Sequence, residues 1–61
     1  MKYKGKNFII SEDFGVLKKN TPCYCFHETS DYIVLWFRTA VIGGMNEIKI
    51  AKSCAHILKE T

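Results

Sequence analysis

Apolar and polar residues alternate with period two in several separate stretches, the spacing that puts successive side chains on opposite faces of a β-strand. Residues 21–29 alternate, residues 32–42 are dense in β-branched and aromatic side chains, and residues 47–52 open polar-apolar-polar-apolar. A shorter segment, residues 7–10, carries Phe8 and Ile10. Turn-forming residues separate these runs: Asn20-Thr21-Pro22, Ser30-Asp31 and Gly43-Gly44. Between the first two strands, Gly15 argues against a helix, and residues 11–19 read as a loop entering a strand at Val16-Leu17. Residues 53–60 read as one or two helical turns, with Ser53 as N-cap and Lys59 in the last turn.

Turn arithmetic sorts the side chains into faces. With Ser30-Asp31 as a two-residue hairpin turn, Phe26 faces Leu35, Tyr24 faces Phe37, Cys25 faces Trp36, His27 faces Val34 and Cys23 faces Arg38. One face then carries Tyr24, Phe26, Ile33, Leu35 and Phe37. The other carries Cys23, Cys25, His27, Tyr32, Val34, Trp36 and Arg38. With Gly43-Gly44 as the next turn, Phe37 meets Ile50 and Thr39 meets Ile48, while Lys49 lies opposite Arg38. A four-residue loop pairs Val41 with Ile48 and Thr39 with Ile50 instead, and any even-length loop keeps the same faces. The predicted core is Phe26, Ile33, Leu35, Phe37, Ile48 and Ile50.

A three-stranded antiparallel meander leaves edges and one open face. The short N-terminal strand and the C-terminal helical turn are expected to close it. This order of elements, a short strand, a long loop, a meander and a terminal helical turn, resembles an SH3-like small β-barrel over nearly the whole chain. The resemblance implies a mainly β fold with residues 1–61 as a single domain, and it transfers no functional residue. A short, Lys- and Ile-rich chain without a motif also resembles the small accessory proteins of large tailed phages.

Composition narrows the function. A chain of 61 residues has room for one domain, and a domain of this size buries only about 60% of the surface its unfolded chain exposes. Hydrophobic residues make up 48% of it and aromatic residues 13%, enough for a core. A catalytic pocket of about 300 Å3 or more is hard to build beside that core, so the chain is expected not to be an enzyme. The net charge of +3 permits an anionic partner without requiring one. Three cysteines, an odd number, argue against a disulfide scaffold and for a reducing cytoplasm. The opening Met1-Lys2-Tyr3-Lys4-Gly5-Lys6 is charged like a leader, but the apolar Phe8-Ile9-Ile10 that follows is too short for a signal region. The longest apolar run, residues 32–37, is too short to span a membrane.

Candidate chemistry is sparse. Cys23, Cys25, His27, Cys54 and His56 are sufficient in kind for tetrahedral zinc. One residue separates the paired cysteines, however, where the usual knuckle has two, and next-nearest residues on a strand face lie roughly 7 Å apart. The expected reading is small apolar side chains under a covering segment, with no metal and no cofactor. The same residues could be a thiol nucleophile with its base, but no orienting third group is evident. Gly43-Gly44 lacks the helix and Lys-Ser/Thr pair of a phosphate loop.

Tyr32, Trp36 and Arg38 share the outer face, with Lys49 expected opposite Arg38, and these four are the predicted binding residues. Like charges facing each other across strands cost stability unless an anion or Glu47 compensates. In the competing reading, Trp36 is covered by the N-terminal segment or the terminal helix, with Arg38 laid over it. Lys2, Lys4 and Lys6 fall on one side if their segment is extended, and with Lys18-Lys19 they could edge the surface. Two functions fit. The first is a non-catalytic module, a small regulator of phage type that binds and modulates a larger protein. The second is a nucleic-acid-binding small barrel using the aromatic and basic outer face. Neither involves a membrane, and oligomeric state is left open.

Overall fold

The computed structural model describes residues 2–38 and 44–61. Five antiparallel strands form one sheet: β1 (Asn7–Ile10), β2 (Pro22–Glu28), β3 (Tyr32–Arg38), β4 (Met45–Ala51) and β5 (Leu58–Glu60). Their order across the sheet is β4-β3-β2-β1-β5. β4 and β5 are edges, so the sheet is mainly β as expected but is not closed into a barrel.

The β2–β3 hairpin turns at Ser30-Asp31, as the arithmetic requires. The Thr29 N–H donates to the Tyr32 carbonyl (2.8 Å), and the Thr29 hydroxyl accepts the N–H groups of Asp31 and Tyr32. His27 then faces Val34 and Glu28 faces Ile33. Beyond that point the expected register fails. The pairing shifts between Cys25 and His27, leaving Phe26 as the extra residue of a β-bulge. Cys25 therefore faces Leu35, Tyr24 faces Trp36 and Cys23 faces Phe37.

The bulge inverts the first half of β2. Cys23 and Cys25 are buried, Tyr24 is 36% exposed, and Phe26 is half-buried rather than core. The main chain on the other side of β2 accommodates the bulge. Gly5 donates to the Cys25 carbonyl (2.8 Å) and Cys25 donates to the Lys6 carbonyl (3.1 Å).

On β3, Ile33, Leu35 and Phe37 are buried as predicted. β4 pairs Ile50 with Ile33 and Ile48 with Leu35. Six residues separate β3 from β4, an even number, so the predicted faces hold although the register does not. Lys49 faces Val34, and Arg38 faces Met45. Ile50 is buried and Ile48 packs half-buried against the core. The expected extension of β3 through residues 39–42, and Gly43 of the expected turn, lie outside the described residues.

The rest of the core comes from segments that period-two reasoning leaves undetermined. Phe8 and Ile10 of β1 are buried, as is Leu17, whose mutual backbone hydrogen bonds with Phe14 (2.7 and 2.9 Å) make a one-bridge turn. Gly15, inside that turn, has φ of +58°, and Val16 beside it is exposed, so the expected strand entry is a tight turn.

The tail also differs. A 3-10 helix spans Lys52–Ile57, starts after Ala51 without a side-chain cap, and buries Ala55 and Ile57. Ser53 is not its N-cap, and Lys59 lies in β5 rather than in a last helical turn. The free edge of β1 offers hydrogen bonds that a short helix cannot match, and Leu58 pairs with Ile10 there.

Residues 2–6 are not extended, so Lys2, Lys4 and Lys6 do not line one side. The Lys6 N–H returns to the Tyr3 carbonyl (3.2 Å), and Gly5 has φ of +83°. This turn wraps the buried carboxylate of Glu28, which accepts the N–H groups of Tyr3 (2.9 Å), Lys4 (3.0 Å) and Lys2 (3.4 Å). The Lys52 ammonium lies 2.8 Å from the same carboxylate. Lys52 first, then the three N–H groups, outweigh burial and hold its pKa at about 2.

Candidate functional site

The outer face of β2, β3 and β4 carries the predicted binding residues, and the bulge adds two more. Trp36 sits in mid-β3 and is 38% exposed. Phe26, displaced outward, stacks on it with centroids 4.2 Å apart and planes at 20°. Tyr24, its cross-strand partner, lies at 6.0 Å and 30°. The three rings form one layer on the sheet, at separations where aromatic pairs attract beyond their area burial. Trp36 thus keeps part of its surface open to solvent rather than becoming a second core residue.

Tyr32 and Lys49 meet at the far end of the face. The Lys49 ammonium lies 4.7 Å from the centroid of the Tyr32 ring, and the His27 ring lies 6.3 Å from it. Arg38 is not part of this group. It faces Met45, four positions along β3 from Val34, where Lys49 pairs. That is about 13 Å at strand rise, so the predicted Arg38–Lys49 opposition does not exist. Glu47 faces Trp36 instead.

Arg38 lines a cleft of about 300 Å3 together with Asn7, Phe8, Tyr24, Trp36 and Phe37. A second cleft, of about 380 Å3, adjoins it through shared Pro22, Phe37 and Arg38, and its other wall includes Lys18 and Lys19. The loop that carries these lysines is pinned. Leu17 is fully buried, the Lys19 N–H donates to the Asp13 carboxylate (2.8 Å), the Thr21 N–H donates to the Lys18 carbonyl (3.1 Å), and the Asn20 N–H donates to the Ile10 carbonyl (2.7 Å). Asn20 takes φ of +74°, a conformation its short polar side chain tolerates better than most.

The possible metal ligands are not brought together. Cys23 and Cys25 point into the core, where their thiols contact the carbonyls of Phe8 (3.6 Å) and His27 (3.4 Å). His27 lies on the opposite face against Tyr32, Cys54 packs at the margin of the core, and the exposed His56 sits 3.3 Å from the Glu12 carboxylate. Among the described residues no three such side chains are placed to hold an ion. Burial pushes the Cys23 thiol up to about 11 and raises that of Cys25. Both shifts suppress the thiolate that a metal or a nucleophilic mechanism needs.

Among the described residues no helix is long and apolar enough to cross a membrane. No protein-family model matches the chain, and neither a curated protein nor a solved structure is detectably similar to it.

Proposed function

We propose that this protein is a non-catalytic binding module whose working surface is the outer face of β2, β3 and β4, anchored by Trp36. The observation that carries this reading is the Phe26–Trp36–Tyr24 layer, with Trp36 38% exposed and Tyr24 36% exposed. A layer of three adjoining aromatic rings offers a partner rigid contact area at little conformational cost.

The strand order, with a 3-10 helix before the last strand, is compatible with a small β-barrel-like fold left open. Fold alone assigns no activity, so the weight rests on the rings. Against catalysis stand the two buried thiols with raised pKa values, whose hydrogen-bond contacts are backbone carbonyls. Rings of this kind serve either a protein hot spot or a stacked base. The charges at the rim bear on the choice between them.

The test is retention from cytoplasmic lysate by immobilised wild-type protein and by Trp36→Ala, each with and without nuclease. Material held by the wild type and lost with Trp36→Ala supports the reading. Identical retention by both proteins, with Trp36→Ala folded, would refute it.

A further inference from the structure

The aromatic layer has a cationic rim on the loop side, while Lys49 lies at the other end of the face against Tyr32. Lys18, Lys19 and Arg38 are exposed and line the same cleft of about 380 Å3, which no carboxylate lines among the described residues. Among the described residues none of the three forms an ion pair, whereas Lys6 pairs with Glu60 and Lys52 with Glu28. The Asp13 carboxylate accepts the Lys19 backbone N–H (2.8 Å) and is not among the residues that line this cleft. Three cations drawn from two distant chain segments and held by a pinned loop repel one another, and an anion relieves that repulsion. The cleft shares Arg38, Pro22 and Phe37 with the one that Trp36 and Tyr24 line.

We propose that this combined surface binds single-stranded nucleic acid, with bases stacked on Trp36 and Tyr24 and phosphates held by Arg38, Lys18 and Lys19. The proposal rests on the binding role of the aromatic face. Trp36 and Arg38 lie two residues apart on one strand face, about 7 Å, a span one nucleotide covers. Glu47, opposite Trp36 on β4, repels phosphate from the other flank, so the backbone runs along the loop side. Stacking needs an exposed base face, which a duplex hides, and neither stacking nor phosphate contact reads the sugar. DNA and RNA strands therefore bind alike and duplex binds poorly.

The experiment titrates wild-type protein with labelled oligothymidylate and oligouridylate of about 12 nucleotides, and with a duplex of the same length, following anisotropy and Trp36 emission. Both single strands should quench Trp36. Their affinity should fall with salt at a log–log slope of about −2, as three phosphate contacts to a single strand require. Lys18→Ala, Lys19→Ala and Arg38→Ala, all at exposed positions, should each reduce that slope by about 0.7. Trp36→Ala should weaken binding about tenfold with the slope kept.

Equal binding of duplex, or a slope unchanged in the three cation variants, overturns the proposal. So does the absence of binding at low salt. If in that case nuclease-treated lysate still yields a protein that wild type retains and Trp36→Ala does not, the binding role of the face survives and its partner is a protein. If no such protein is retained, the binding role falls as well.

Discussion

Phe26 stacks on Trp36 with centroids 4.2 Å apart, although the residue directly across the ladder from Trp36 is Tyr24. One side chain on β3 thus engages two on β2, which is possible because the bulge places two residues where a regular strand has one. The relationship separates two phenylalanines that the sequence pattern treats alike. Phe37→Ala should cost about 3–5 kcal/mol, because its ring fills the core. Phe26→Ala removes only a surface stack and should cost about 1–1.5 kcal/mol. Urea denaturation of the two variants measures both. Equal losses would mean that Phe26 is core and the bulge is absent.

Trp36 is the sole tryptophan and part of its ring meets solvent. Its emission in the free protein should be shifted toward the red and quenched by acrylamide, and Phe26→Ala should raise the quenching constant further by uncovering one ring face. Blue-shifted, quencher-resistant emission would show the face to be covered.

Glu28 predicts an acid limb in stability. Its folded pKa of about 2 lies below its ordinary value of 4.5, so between those values the unfolded chain takes up the proton more readily. The contribution is complete above pH 4.5 and drains away as pH falls toward 2. The urea midpoint of wild type should drop across that window, and Glu28→Gln should start lower at neutral pH and lose that part of the slope. An unchanged slope in Glu28→Gln would assign the acid limb elsewhere.

The three thiols should react in a fixed order. Cys54 is partly accessible, whereas Cys23 and Cys25 are buried with raised pKa values. Alkylation at neutral pH followed by mass spectrometry should label Cys54 first, and the other two only under conditions that unfold the protein. Early labelling of Cys25 would contradict the inward orientation of β2.

Where alternation is unambiguous, the sequence is a sufficient guide. Ile33, Leu35 and Phe37 are buried, and Tyr32, Trp36 and Arg38 lie on the other face, because β3 is regular throughout. Residues 23–26, Cys-Tyr-Cys-Phe, are apolar at all four positions, so alternation there carries no parity. Either pair fits the core by hydropathy, and only the bulge decides. Tyr24 and Phe26 were invisible as surface residues for that reason. The cation cluster was legible in part, since Lys18-Lys19 could edge the surface, but their place beside Arg38 was not. Lys18 and Lys19 reach Arg38 through the path of a loop, and loop paths leave no period in a sequence. The Glu28 cradle depends likewise on a left-handed Gly5 that turns three N–H groups onto one carboxylate.

The bulge also makes scaffold and surface independent. Cys25 faces Leu35 and His27 faces Val34, so β3 spans that interval without a spare residue. Deleting Phe26 from the chain would make Cys25 and His27 neighbours already in step with their partners, and the hairpin would close as a regular ladder with its inward set intact. The residue that completes the aromatic layer behaves as an insertion within a hairpin that is complete without it. Its identity can therefore drift, or its position be lost altogether, while the fold persists.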